Sequence, residues 1–114
     1  MNKVSLDAIS REQLIAARRA STQRSATTVF GGHEHALRQT VIALLAGATL
    51  SDHENPGEAT LYVLLGRVEL RAGTDTWEGR RGDLIIVPDA THGVHALEDS
   101  VVLLTAVPRG HVAG

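Results

Sequence analysis

Short strand-like runs separated by regular turns are the feature that most restricts the fold of this chain. From about Ala26 onward, runs rich in Val, Leu, Ile and Thr are interrupted about every eight to twelve positions by turns with Gly, Pro or acidic residues. The runs are ATTVF, LRQTVIALLA, ATLYVLL, RVELRA, DTWEG, DLIIV, GVHAL and SVVLLTAV. This spacing is typical of a β-sandwich or barrel and not of alternating strands and helices. We therefore predict an all-β domain over residues 26–114.

The strand-like runs differ in how many of their faces are apolar. In RVELRA, Arg67, Glu69 and Arg71 alternate with Val68 and Leu70, as expected for a strand with one face in water. The runs TVIALLA, ATLYVLL and SVVLLTAV are apolar on both faces. One of those faces can line a barrel, but the other must be covered by a helix or by a second subunit. We therefore predict a homodimer.

Composition excludes several other classes of protein. A chain of 114 residues with 43% hydrophobic and 21% charged residues can bury one core, and its net charge of −2 suggests neither a nucleic-acid nor a membrane partner. The absence of cysteine excludes disulfides and thiolate metal sites. The first ten residues lack the apolar core of a signal peptide, and no apolar run reaches the roughly 20 residues of a membrane helix. A cytoplasmic protein is the expectation.

A short helix and a connector are predicted for residues 1–25. Ser10 precedes Gln13 by three positions, which is the spacing of a capping box at a helix start. The predicted helix spans about ten residues and is marginal in isolation, so it should dock on the barrel. The small polar segment STQRSATT is interpreted as the connector that follows it.

Two segments carry a resemblance to a known family. GATLSDHENPGEATLYVLLG runs from Gly47 to Gly66, and GDLIIVPDATH runs from Gly82 to His92. Together they resemble the paired motifs of the cupin superfamily, and the similarity extends roughly from Leu37 to Val107. The resemblance is to small single-domain bacterial cupins, and it implies a jelly-roll barrel, or double-stranded β-helix, here preceded by the short α-helix. In that family, two histidines and an acid of the first motif and a histidine of the second hold a divalent metal in the barrel mouth.

The resemblance assigns an incomplete ligand set to the first motif. Counting back from its final glycine places the two histidine positions at His53 and Asn55 and the acid position at Ala59. Glu58 lies on the opposite strand face unless a bulge turns it inward. One of the three first-motif ligands is therefore retained, and Asn55 is at best a weak oxygen donor.

The second motif supplies the other predicted ligand. Gly82 and Pro88 keep the family spacing, the next turn is one residue shorter, and His92 is the counterpart of the family histidine. His95 should face the other way by alternation. Because two histidines seldom suffice for a stable site, a further ligand could come from His33, His35 or Gln39. Two expectations stay open: the site binds a divalent transition metal (Zn, Ni, Mn or Fe), or it binds no metal.

A pocket with an apolar wall and one polar end is also predicted. Its expected lining is His53, Asn55, Ala59, Leu61, Val63, Ile85 or Ile86, His92 and Val94. Such a pocket suits a small molecule with an oxygen-bearing head. Three functions stay open: a small-ligand-binding cupin, a metal-dependent oxygenase or isomerase, and a non-catalytic interaction domain. Tyr62 fits a catalytic role poorly because its parity places it on the outer face, and whether the chain is an enzyme stays open.

Overall fold

The structure is a computed structural model of the chain. It describes residues 2–32, 34–53 and 57–108, with the backbone alone at positions 52, 53 and 108. One helix and nine strands occupy this part of the chain. In chain order they are α1 (Leu6–Arg19), β1 (Arg24–Phe30), β2 (Arg38–Leu44), β3 (Thr49–His53), β4 (Gly57–Leu65), β5 (Arg67–Ala72), β6 (Asp75–Arg80), β7 (Leu84–Ile86), β8 (His92–Ala96) and β9 (Ser100–Pro108).

The strands form two antiparallel sheets that face each other. The five-stranded sheet has the order β1-β2-β9-β4-β7, and the four-stranded sheet has the order β3-β8-β5-β6. Neighbours in each sheet are often distant in sequence, as in the β2–β9 and β4–β9 pairs, which is the connectivity of a jelly roll. The prediction of an all-β jelly-roll barrel with one short helix is confirmed.

The helix is longer than predicted and begins earlier. Ser5 is its N-cap, and its hydroxyl accepts a hydrogen bond from the Ala8 amide at 3.2 Å. The predicted capping box at Ser10 is wrong, because Ser10 lies inside the helix and is 3% exposed. The Gln13 side chain instead accepts a hydrogen bond from the Ser25 hydroxyl at 2.6 Å. The helix thus has 14 residues and is tied to the first strand.

The first strand begins inside the segment that was interpreted as a connector. β1 starts at Arg24 and pairs with β2 from Arg24–Leu44 to Phe30–Gln39, with an irregularity near its end. The run from Thr27 to Phe30 favours a strand, whereas Arg24, Ser25 and Ala26 have little strand preference, so pairing with the strongly apolar β2 decides where the strand begins. The connector is therefore confined to the few residues between Arg19 and Arg24.

Two apolar clusters build the core. The larger fills the space between the sheets, and the smaller lies on the outer side of β2 and β9, where Ala17 of α1 packs with Val41, Ala43 and Val101. The helix thus covers part of the second apolar face that the sequence predicted. Farther across the same sheet, Tyr62, Leu84 and Ile86 are 38%, 56% and 69% exposed, respectively.

At one end of the barrel, the backbone of the β4–β5 turn is in close contact with the backbone at the start of β9. Gly66 has a φ of +79°, and a Cβ at this position would meet the backbone of Asp99 and Ser100, with the Ser100 Cα only 2.8 Å away. The Ser100 hydroxyl is fully buried, accepts a hydrogen bond from the Arg67 amide at 2.9 Å and donates to the Glu98 carbonyl at 2.8 Å. The β4–β5 turn is thereby held against the start of β9.

The helix of the described part of the chain is too short and too polar to cross a membrane.

Candidate functional site

A cavity of about 300 Å³ lies between the two sheets. Among the described residues, seven aliphatic and three polar ones line it: Ile42, Leu50, Leu61, Leu70, Val87, Val94 and Leu104, with Arg24, Ser51 and His92. The aliphatic residues come from both sheets, and most belong to the same apolar cluster that fills the rest of the barrel. The site is therefore an unfilled part of the core with a few polar groups, which is the usual composition of a small-molecule pocket.

The cavity occupies one end of the barrel interior, which we call the open end. Five strands each place one residue at the open end and, two positions along, one in the filled closed end. These pairs, open end first, are Ile42 and Leu44, Leu61 and Val63, Leu70 and Val68, Val94 and Ala96, and Leu104 and Val102. Because side chains on one face of a strand recur at every second position, each of these strands contributes one residue to the cavity wall and the next to the packed core.

His92 is a buried polar residue of the open end. It is the first residue of β8 and is 4% exposed. Its Nδ1 lies 3.1 Å from the Ala90 carbonyl oxygen. Because a carbonyl can only accept, this hydrogen bond places the proton on Nδ1 and leaves Nε2 as the acceptor or metal-binding atom of the neutral ring.

The backbone brings His53 opposite His92. The two residues are Cα partners in the β3–β8 ladder, after an irregularity between Leu50 and His53. The backbones of the two residues are therefore adjacent. The His53 side chain lies outside the described part of the structure, so the shared site stays a prediction. Asn55 and His33 also lie outside the described residues.

Arg24 lies where the edge strands of the two sheets meet, a boundary that we call the seam. β1 and β3 are edge strands of different sheets, and the Arg24 guanidinium spans from one to the other by donating from Nη1 to the Thr49 carbonyl at 2.8 Å. In the β1–β2 ladder, Arg24 is opposite Leu44, whose side chain is in the barrel core. Arg24 therefore shares the inward-facing side of its sheet and lines the cavity while remaining exposed.

The remaining residues of the predicted pocket take different positions. Leu61 is 2% exposed and lines the cavity, and so does Val94. Ala59 is partly buried against the core without lining the cavity. Val63 and Ile85 belong to the packed core, and Ile86 faces outward.

The additional metal ligands considered from the sequence lie apart from the cavity. Glu58 is exposed and lines a separate groove beside β9. The Gln39 amide donates to the Thr105 hydroxyl at 3.2 Å, on the sheet face opposite the barrel interior. His35 is exposed, with its ring centroid 4.9 Å from that of Phe30. His95 likewise faces away from the cavity, and its Nδ1 is 3.0 Å from the Thr49 hydroxyl.

Comparison with known proteins identifies the family. The family described as Cupin domain matches residues 40–108, which is more than half of the chain. This chain belongs to the cupin family. The matched segment runs from within β2 to the end of β9, so it includes every described residue of the cavity wall except Arg24.

Solved structures agree with this assignment. A conserved protein of unknown function from Streptococcus pyogenes is 26% identical, with a TM-score of 0.70, and the match covers 81% of this cupin and 80% of that chain. An RmlC-like cupin from Desulfovibrio desulfuricans is 27% identical, with a TM-score of 0.65 and coverages of 75% and 82%. A Cupin 2 conserved barrel domain protein from Salinispora arenicola has the same fold at 17% identity, with a TM-score of 0.67 and coverages of 92% and 87%. A search of curated proteins gives no match.

The described donors of this cupin do not form a metal site. Within residues 2–32, 34–53 and 57–108, no three His, Asp or Glu side chains with described positions come together in a way that could hold a metal ion. His92 brings one imidazole to the cavity, and the other polar groups there are a guanidinium and a hydroxyl. A guanidinium does not coordinate a cation, so this donor set falls short of the three protein ligands usual in stable sites.

Sequence reasoning missed the two polar groups that accompany His92. Arg24 lies in the segment interpreted as a connector, and Ser51 is one of several polar residues before the first-motif histidine. Arg24 could have been placed on a strand because Arg24, Ala26 and Thr28 are spaced two positions apart. This spacing extends the alternating pattern of the strand backward by one step. Its reach across the seam depends on a long flexible side chain and on the position of Thr49, which no local pattern specifies.

Proposed function

We propose that this cupin binds a small, mainly apolar organic molecule in the cavity at the open end of its barrel. The observation that carries the proposal is the unfilled volume of about 300 Å³ in an otherwise closely packed aliphatic core. Protein interiors are packed nearly as densely as organic crystals, so this partly open hollow differs from the rest of the core and offers room for a small molecule. Its size lies at the lower limit of ordinary ligand pockets.

The few polar groups of the cavity support a ligand with one polar head. Arg24, Ser51 and His92 come from three different strands and contribute the polar part of the wall, and the other seven lining residues are aliphatic. Such a wall would stabilise an apolar body by removing it from water and would orient a single polar group by hydrogen bonds. A molecule with many hydroxyl groups would leave most of them without partners against this surface.

A fragment titration with a matched pair of variants tests the proposal. Benzyl alcohol and cyclohexanone are suitable neutral probes, and methyl NMR shifts report contact with the Leu, Ile and Val side chains of the wall. Leu104→Phe adds an aromatic ring at the cavity and should weaken binding at least about tenfold. Leu84→Phe makes the same change on the outer face, where Leu84 is 56% exposed, and should leave binding unchanged.

Either of two results would contradict the proposal. In the first, neither probe shifts the methyl resonances of the wall at millimolar concentration. In the second, the probes bind equally well to Leu104→Phe and to the unchanged protein, which would place their site elsewhere.

The backbone pairing of His53 with His92 favours a second candidate, a metal-dependent oxygenase or isomerase. Imidazoles from these two strands would hold Zn, Ni, Mn or Fe only if a further ligand joined them. Elemental analysis of untagged protein purified without chelator tests this candidate. Near-stoichiometric metal that is lost in both His53→Ala and His92→Ala would support it. A metal-free protein with no thermal shift on adding these ions would remove it.

The other two expectations from the sequence stay predictions. An interaction domain without a ligand would be favoured by a barrel filled with its own side chains, and the cavity supports the binding function instead. A homodimer would give Tyr62, Leu84 and Ile86 a covered position on the sheet face beyond the helix.

A further inference from the structure

We propose that the ligand of the cavity is a small monocarboxylate with an apolar body, and that Arg24 binds its carboxylate group. This inference rests on the proposed function, because it assigns a chemical class to the molecule that the cavity holds. It adds a specificity-determining residue that lies outside the segment matched by the family.

The position of Arg24 is fixed by the fold. It is the first residue of β1, it faces the barrel interior, and its Nη1 is anchored on the Thr49 carbonyl across the seam between the sheets. That hydrogen bond engages one of the several N–H donors of the guanidinium. The other donors lie in the same plane, in a side chain that lines the cavity.

The charge of Arg24 is not balanced by a neighbouring carboxylate of the described part of the chain. The ion pairs among residues with described side chains involve the cations Arg18, Arg67, Arg71 and Arg80. None of the described residues that line the cavity is acidic. Arg24 is therefore the one charged side chain among the described residues of the wall, and its positive charge favours an anion there.

A carboxylate matches this arrangement better than other polar heads. Its two oxygens accept parallel hydrogen bonds from a guanidinium, which is a strong and directional pairing. Ser51 and His92 line the same cavity and can contribute a hydroxyl and an imidazole near the head group. The seven aliphatic residues then select an apolar body, and the volume of about 300 Å³ limits it to a short branched chain or a single ring.

A matched pair of probes separates the charge from the rest of the ligand. 4-Methylpentanoate and 4-methylpentanamide share one apolar body and nearly one shape, and only the first is an anion at pH 7. Isothermal titration calorimetry should show the carboxylate binding at least about tenfold more tightly than the amide. Arg24→Gln should remove this preference by weakening the carboxylate about tenfold, while the affinity for the amide stays the same. Arg24→Lys keeps the positive charge but lacks the planar guanidinium that forms paired hydrogen bonds, so it should retain part of the preference for the carboxylate.

Arg81→Gln is the control for a general change in charge. Arg81 is exposed and is not part of the cavity wall, and its replacement alters the net charge by the same amount. It should leave both affinities unchanged. A loss of carboxylate affinity in Arg81→Gln equal to that in Arg24→Gln would show a long-range charge effect and would overturn the assignment to Arg24.

The outcomes distinguish this inference from the function on which it rests. If the unchanged protein binds both probes equally and Arg24→Gln alters neither, the cavity binds ligands and the carboxylate inference is wrong. If neither probe binds and the neutral fragments also leave the wall unshifted, the proposed function fails and the inference fails with it.

Discussion

The two ends of the barrel interior are built from the same strands and the same kind of residue, yet one is packed and the other is hollow. At the closed end Leu44, Val63, Val68, Ala96 and Val102 are all fully buried. Two positions away on the same strands, Ile42, Leu61, Leu70, Val94 and Leu104 surround the cavity. The side chains of the open end are on the whole larger than those of the closed end. Side-chain volume therefore does not explain the cavity.

We infer that the two ends differ in how closely the strands approach. At the closed end Gly66 permits contact with the backbone of Ser100, whose hydroxyl is bonded to the Arg67 amide. The cavity borders the seam between the edge strands β1 and β3, which the long side chain of Arg24 crosses. We infer that the sheets stand farther apart there, so that even larger aliphatic residues cannot meet.

The two motif glycines should differ most in the cost of adding a methyl group. Both have a positive φ, of +79° for Gly66 and +91° for Gly82. At Gly66 the methyl group would also strike the backbone of Ser100, so Gly66→Ala should lower the free energy of unfolding by about 4 kcal/mol. No heavy atom lies within 4 Å of a Cβ at Gly82, and Gly82→Ala should cost about 1 kcal/mol.

Urea denaturation of the two glycine variants measures this difference. Equal losses would mean that the Gly66–Ser100 contact is not what holds the closed end together, and that left-handed backbone conformation alone accounts for both effects.

Truncating leucines at the two ends gives the next largest contrast. Leu44 is fully buried in the closed end, and Leu44→Ala should cost about 3 kcal/mol because a new void is created. Leu104 is partly buried and already borders the cavity, so Leu104→Ala removes fewer contacts and should cost about 1 kcal/mol. Chemical denaturation measures both costs. If Leu104→Ala is as costly as Leu44→Ala, the open end is packed in solution and the cavity is closed.

The fold was largely predictable from sequence because its signals are local and repeated. The alternation of polar and apolar residues from Arg67 to Arg71 correctly predicted which residues face the barrel interior, since Val68 and Leu70 are both fully buried. The spacing of the two motifs also identified the family. The helix start was not predictable in the same way, because Ser5 and Ser10 are chemically identical candidates. Packing of the helix on β2 buries Ser10 and leaves Ser5 at the end.

The site was predictable only in part, because a cavity is a property of strand separation. Sequence placed Leu61, Val94 and His92 on the inner face, where they line the cavity. It could not show that Val63 and Val102, equally apolar and on the same face, would be packed instead. Nor could it show that Arg24 would reach Thr49, which is 25 positions away along the chain.

The polar residues of the two ends should differ in what they do for stability, and this is the smallest effect expected. Ser100 is buried and bonded to the backbone, so Ser100→Ala leaves the Arg67 amide without its partner and should cost about 2 kcal/mol. Arg24 is exposed, and water can replace its bond to the Thr49 carbonyl, so Arg24→Gln should change stability by less than about 0.5 kcal/mol. Thermal and urea denaturation in parallel measure both values. A large loss in Arg24→Gln would mean that this guanidinium holds the seam of the barrel together, and its place at the cavity would then be explained by folding. A negligible loss would show that folding does not depend on Arg24 and would leave its role in ligand binding to be decided by the titrations of Arg24→Gln.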